Sequence, residues 1–297
     1  MLSAYLIGII VYWAEMLDKP SIDRPKLLHY LFPRDVWGHP SAVEDYVLCL
    51  ANGVILLIVF KLKALYQYFG HMMNDVEQYL FSAPNRNVAE APGVDIVVLF
   101  AIASFLMRDL FYYISHRLSH RIPALWEFHK IHHSAQVLTP FTSYRMHPID
   151  YVLNIGISAL GTGLAAVIFI HFYPGLTRNM IVPGITFCYI MIYILGANLR
   201  HSHIWLSFGP FVEHIFFSPA QHQIHHSTDP RHFNKNFASD LSIWDWMFGS
   251  LYVTHGKENI RVGLVESDGR NSYKSVWDMY VQPFHHIFFS RKKAPLN

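Results

Sequence analysis

Tyr151-Val-Leu-Asn-Ile-Gly-Ile-Ser-Ala-Leu-Gly-Thr-Gly-Leu-Ala-Ala-Val-Ile-Phe-Ile-His-Phe-Tyr173 is an apolar run without a single Asp, Glu, Lys or Arg. At the rise of an α-helix, about 20 such residues cross the hydrocarbon core of a bilayer. A second apolar run covers 179–199. The piece between them, His171-Phe-Tyr-Pro-Gly-Leu-Thr-Arg178, carries Pro174 and Gly175 as turn formers. The two runs predict a tight helical hairpin in a membrane. Shorter apolar runs at 2–17, 46–60 and 94–107 extend the pattern, the last two borrowing flanking residues such as Lys61, Arg108 or Asp109 to cross. The expected fold is all-α: a polytopic integral membrane helical bundle of about four to five spans.

Composition supports the bilayer. Charged residues make up 15% of the 297, against about 25% in soluble domains, and aromatic residues reach 15%. A formal net charge of +2, with Lys and Arg dispersed, argues against nucleic acid as a partner. Cys49 and Cys188 both sit in apolar runs and read as small core residues rather than a disulfide or a thiolate metal site. Residues 2–17 lack a basic leader and a small-residue cleavage signature, so they are expected to remain as a helix.

The unusual reagent is histidine, present twenty times. His116-Arg-Leu-Ser-His120 is followed by His129-Lys-Ile-His132-His133, and the second spacing returns as His222-Gln-Ile-His225-His226. Residues three or four apart share a helix face, so each cluster can aim two or three ring nitrogens at a common point. A hydrophobic core is a poor home for so many imidazoles, because each buried nitrogen needs a partner. The hairpin brings the third cluster back to the side of the first two: the chain leaves that side at Asp150 and returns near Arg200. Residues 18–42, 114–150 and 198–297 hold 18 Lys and Arg, whereas 61–93 and 173–178 hold 4. The positive-inside rule therefore puts the histidines in a cytoplasmic cap. Beyond Leu206 the chain grows less apolar, and turn signals at Phe208-Gly-Pro210, Ser227-Thr-Asp-Pro230 and Ser239-Asp240 fit that cap. Aromatic pieces at 211–217 and 244–252 either lie along the headgroup boundary or pack within it. The whole chain, 1–297, reads as a single integral-membrane domain.

Imidazole suits zinc, iron, copper and nickel alike. Eight clustered histidines are too many for one tetrahedral zinc and suit two ions with positions left open. The chain has no His-Glu-x-x-His motif with its general base, and no Glu-x-x-His pair of the soluble carboxylate di-iron bundles. Two irons held mainly by histidine remain. Asp109, two turns before His116, is placed to hold an imidazole N–H, or else to pair with Arg108 or Arg117.

These motifs resemble the membrane fatty acid hydroxylase and sterol desaturase superfamily, the histidine-box non-haem di-iron oxygenases. The three clusters are similar to its three boxes. Thr139-Pro-Phe-Thr-Ser-Tyr-Arg-Met-His147-Pro is similar to a segment of sterol C5-desaturase-like members, and Trp244-Asp-Trp-Met-Phe-Gly249 is a further match. The likeness covers about 95–255, the expected catalytic region. It implies extra ligands between the second and third boxes. His201, in Leu199-Arg-His-Ser-His203, stands where the family often has a His followed by a small residue and Asn; here His203 replaces that Asn, and His201 is favoured. His147 is expected as a ligand or near neighbour of the site. Asp109 and Asp245 are the carboxylates expected behind the ligands. His171, His214 and His232 lack the pattern and default to structural roles.

The resemblance implies two iron ions that activate O2 and an oxidation of an unactivated C–H bond in a lipid, giving an alcohol or an alkene. Fatty acyl, sterol and ether lipids all fit. Nothing resembles a flavin, nicotinamide or iron–sulfur site, so electrons are expected from an external b-type cytochrome or a ferredoxin with its reductase, docking at the cap. Arg291, Lys292 and Lys293 suit an acidic carrier or a membrane surface equally. A bacterial inner membrane and the endoplasmic reticulum are both compatible. The rival classes are a zinc hydrolase and a non-catalytic membrane metal protein or transporter, although a transporter would place its ligands within the spans.

Overall fold

The computed structural model describes residues 2–17, 19–61, 92–173, 175–176, 186, 190, 199–264 and 273–289. Among them there is no strand, only one isolated bridge between Ser227 and Val262, so the fold is all-helical. The helices are α1 (Leu2–Met16), α2 (Leu27–Leu31), α3 (Arg34–Trp37), α4 (Pro40–Lys61), α5 (Val94–Arg121), α6 (Pro123–His133), α7 (Pro148–Phe172), α8 (Pro219–His225), α9 (Ile243–Met247) and α10 (Val276–Phe289). The expected run 179–199 falls almost wholly outside the described residues, as do Pro174 and Arg178 of the expected hairpin turn.

Proline sets the starts that matter. A residue before proline is pushed toward extended backbone, and proline itself is welcome at the first helical position. Ile122, His147 and Ser218 are all extended, and each precedes the proline that opens α6, α7 or α8. Ile122 therefore ends the 28-residue α5 and redirects the chain into α6. Ser218 and Gln221 add a capping box to α8, each side chain accepting the other's backbone N–H.

α7 is the one helix among the described residues that is long and apolar enough to cross a membrane. It packs along α5 so closely that a Cβ on Gly161 would strike the Met107 carbonyl. α1 lies across α2 and joins Leu199 and Ile204 in one apolar cluster, which ties the N-terminal helix to the start of the third histidine segment. Arg145, buried, fastens the front of α4 to the end of α6. It donates to Asp45 Oδ1 at 2.9 Å, to Glu44 Oε2 at 2.9 Å, to the Ile131 carbonyl at 3.1 Å and to Ser134 Oγ at 3.0 Å.

Candidate metal centre

α5, α6, α8 and the segment after Leu199 bring nine histidines into two groups. His116, His120, His129, His133 and His225 form one; His132, His201, His222 and His226 form the other. Within each group one ring nitrogen from every histidine lies within 4.8 Å of those of the others. The groups adjoin, with the rings of His133 and His226 4.5 Å apart.

Helix geometry explains the division. Residues four apart on a helix differ by about 40° around the axis, and residues three apart by about 60° the other way. On α6 the outer pair, His129 and His133, serves the first group and His132 the second. On α8 and its last turn the assignment is reversed: His222 and His226 serve the second group and His225 the first. The two His-x-x-His-His motifs interlock.

In the first group three tautomers are fixed from behind. His116 Nδ1 lies 2.7 Å from the Phe237 carbonyl and His225 Nδ1 2.8 Å from the Lys235 carbonyl. A carbonyl only accepts, so Nδ1 carries the proton and Nε2 keeps its lone pair. His129 Nδ1 donates in the same way to Asp150 Oδ2 at 3.0 Å. Asp150 is held in turn by Asn154 Nδ2 at 2.9 Å, and Asn154 accepts from Ser115 Oγ at 2.8 Å, a relay joining α5, α7 and α6. The Nε2 atoms of His116, His129, His133 and His225 are buried without a protein partner. Burial leaves such lone pairs costly unless something electrophilic meets them.

In the second group the Nε2 atoms face one another: His132 to His201 at 3.0 Å, His201 to His222 at 2.7 Å and His222 to His226 at 3.1 Å. Ser143 Oγ, 3.0 Å from His201 Nδ1, orients that ring. Burial, reinforced by neighbouring imidazoles, pushes His132, His133, His222 and His226 well below the ordinary imidazole value. Burial, with Arg200 alongside, takes His201 down to about 3, and burial takes His225 to about 3 against the opposing hydrogen bond to Lys235. These six rings are therefore neutral at pH 7, the form that ligates a metal. Inward lone pairs, fixed tautomers and all-imidazole donors fit a transition-metal centre.

The remaining candidates lie elsewhere. His147 is in neither group: its Nδ1 accepts the Ile149 N–H at the start of α7, and its Nε2 donates to the Tyr280 carbonyl at 3.2 Å. Both nitrogens are occupied. His203 donates to the Tyr30 carbonyl at 2.7 Å, and His214 and His232 also lie outside both groups. Asp109 touches no imidazole; it accepts the N–H groups of Asp240 and Leu241, each at 3.0 Å, and Trp244 Nε1 at 2.9 Å. Asp245 accepts from the Phe237 and Ala238 N–H groups at 2.9 and 2.8 Å. These two acids brace the 237–241 segment, whose Phe237 carbonyl orients His116. Asp150, which meets His129 directly, was missed by sequence reasoning. Its only signal is the sequence His147-Pro-Ile-Asp150, an acid in the first turn of a helix.

Two adjoining clusters of imidazoles on a helical scaffold make a pair of histidine-built positions that could hold metal. The model of the family described as Fatty acid hydroxylase matches residues 101–250, which include every histidine of both groups. The chain belongs to the fatty acid hydroxylase family. It is 30% identical over 245 residues to alkylglycerol monooxygenase of Danio rerio, covering 82% of this chain and 48% of that protein. It is 27% identical over 152 residues to the ornithine lipid hydroxylase OlsE of Rhizobium tropici, covering 51% and 41%. The Delta(7)-sterol 5(6)-desaturase of Saccharomyces cerevisiae is 22% identical over 261 residues, covering 87% and 62%. The chain thus spans about half the length of the curated relatives it matches. No solved structure gives a significant match.

Proposed function

We propose that this chain is a membrane-bound oxygenase that hydroxylates or desaturates a lipid, with one iron ion in each histidine group. His116, His120, His129, His133 and His225 would hold one ion, and His132, His201, His222 and His226 the other. Bound there, the irons supply activation of dioxygen and removal of hydrogen from an unactivated C–H bond. The observation that carries this reading is the convergence of nine imidazoles, all but His201 buried, on two neighbouring points.

The rest of the chemistry belongs to the protein. Asp150 and the Phe237 and Lys235 carbonyls hold three Nδ1 protons so that the Nε2 lone pairs face inward. Packing around the rings excludes water. Names among the relatives, an alkylglycerol, an ornithine lipid and a sterol, share a long apolar body and little else, so the substrate class we propose is a lipid that reaches the site from the bilayer. The reading includes one integral-membrane domain over 1–297, with its catalytic region at 95–255. It also includes about four to five spans, a cap on the cytoplasmic side and a separate donor, either a b-type cytochrome or a ferredoxin with its reductase.

Expression with iron, anaerobic purification, metal counting and Mössbauer spectroscopy test it. Two irons per chain and reductant-dependent oxygen uptake in the presence of lipid are expected. Zinc alone without oxygen uptake would favour a hydrolase or a transport protein and end the proposal. Lipid profiling of a deletion strain against a His-to-Ala complement names the substrate.

A further inference from the structure

α10 has three faces. Met279 and Pro283 are buried, and Met279 packs with Leu48 of α4 and Ile131 of α6, while His286 Nδ1 lies 2.9 Å from Glu127 Oε2 on the far side of α6 from the histidine groups. Trp277, Val281, Phe284 and Phe288, spaced four, three and four, make a second apolar stripe, with Trp277 72% and Phe288 71% exposed and Phe284 at its inner edge, edge-on to Phe128 and near the His147 ring. Asp278, Gln282 and His285 make a polar sector between the two, which ends at the last residue of the helix in Phe289, 76% exposed and 5.7 Å from the His285 ring. A helix in water against a protein surface needs one apolar face. A second apolar face next to a polar one suits a helix at a three-way boundary of protein, water and hydrocarbon.

The height of α10 in the molecule agrees. Its Tyr280 carbonyl accepts from His147, the cap of α7, at the residue where the membrane-length apolar helix begins. Its Tyr280 hydroxyl donates to Asn52 Oδ1 at 2.8 Å, and beyond Asn52 the α4 residues Val54 and Leu57 face outward. α10 therefore crosses α7 where its exposed apolar surface starts, and crosses α4 within a run of outward-facing apolar residues that extends from Val43 to Leu57. Arg291, Lys292 and Lys293, which follow it in sequence, complement anionic headgroups.

We propose that α10 lies in the plane of the membrane surface, its Trp277–Val281–Phe284–Phe288 stripe sunk at the boundary between headgroups and acyl chains and its opposite face seated on α6. The occupant of the stripe is lipid. Because α6 carries His129, His132 and His133, the surface that delivers a lipid substrate is mechanically joined to the helix serving both histidine groups. This inference rests on the membrane reading of the chain, and the test separates the two.

Spin labels are placed singly at Val281→Cys, Phe288→Cys, Gln282→Cys, His285→Cys and Leu160→Cys of the full chain in a Cys49→Ser, Cys188→Ser background, in nanodiscs containing anionic phospholipid. Collision with oxygen, which concentrates in lipid, is compared with collision with a water-soluble nickel chelate. An oxygen-to-nickel ratio several-fold higher at 281 and 288 than at 282 and 285 is expected, with 160, on the outer face of α7, higher still. Water-like ratios at 281 and 288 beside a lipid-like 160 overturn the inference and leave the membrane reading intact. Water-like behaviour at 160 overturns both. Nickel exclusion at 281 and 288 that arises only on adding a soluble electron carrier, or that comes with label-to-label broadening from a second copy, assigns the stripe to a protein partner and also overturns it.

Discussion

Asp150 shows how much one carboxylate can do without touching a metal. It fixes the His129 tautomer and, through Asn154 and Ser115, ties α6 to α5 and α7. Carboxylates behind ligating histidines typically contribute 10- to 100-fold in metal affinity. Asp150→Ala is accordingly expected to weaken iron binding by roughly that factor, read by chelator competition, with little change in helical content by circular dichroism. Acidification acts on the imidazoles themselves. His201 and His225 titrate near 3 in the fold against an ordinary 6.5, so between those values the unfolded chain binds more protons than the folded one. Stability of the metal-free protein should therefore fall as the pH drops from about 6.5 toward 3. Thermal unfolding across that range checks the sign; constant or rising stability would show that these rings are not held neutral. The histidine spacing was legible in sequence because the i, i+3, i+4 pattern is local. Asp150 was not, since its role depends on where α7 meets α6, and in sequence it reads as an ordinary first-turn acid. His147 looked like a ligand for a related reason: a histidine before proline caps a helix as readily as it binds a metal.

At the scale of elements, the Pro148–Phe172 helix was readable from its apolar run at 151–173, whereas the prolines that open α6, α7 and α8 were not read as helix starts, because an isolated proline in sequence signals a turn as readily as a first helical residue. The runs at 46–60 and 94–107 turned out to be parts of longer helices, α4 and α5, whose polar portions reach into the region of Arg145 and the histidines. Hydropathy stops where charge begins, but backbone hydrogen bonding does not, so a helix can outlast its apolar stretch. Between α5 and α7, Gly161 stands against the Met107 carbonyl. In lipid, such close approach through small residues is a main source of helix pairing. Gly161→Leu is expected to cost about 1–3 kcal/mol through overpacking, measured as a lower midpoint of thermal inactivation in detergent; an unchanged midpoint would mean that the two helices separate easily at this point.

For the molecule as a whole, the fatty acid hydroxylase match spans residues 101–250 and leaves α1 to α4 and α10 outside it. Those outer helices still bear on the centre: α4 through Arg145, α1 through Leu199 and Ile204, α10 through Glu127. The interlocked motifs carry a consequence for assembly. Together α6 and α8, the latter with its C-cap His226, supply three of the five histidines of one position and three of the four of the other, so seating one cation orders most of the donors of the other. Titrating iron into the apoprotein should follow a sigmoid, with singly loaded molecules scarce in native mass spectra. Alanine at His132 or at His225, residues assigned to different groups, should then empty both. Stepwise loading through an abundant one-iron species would mean two independent sockets that happen to share a wall.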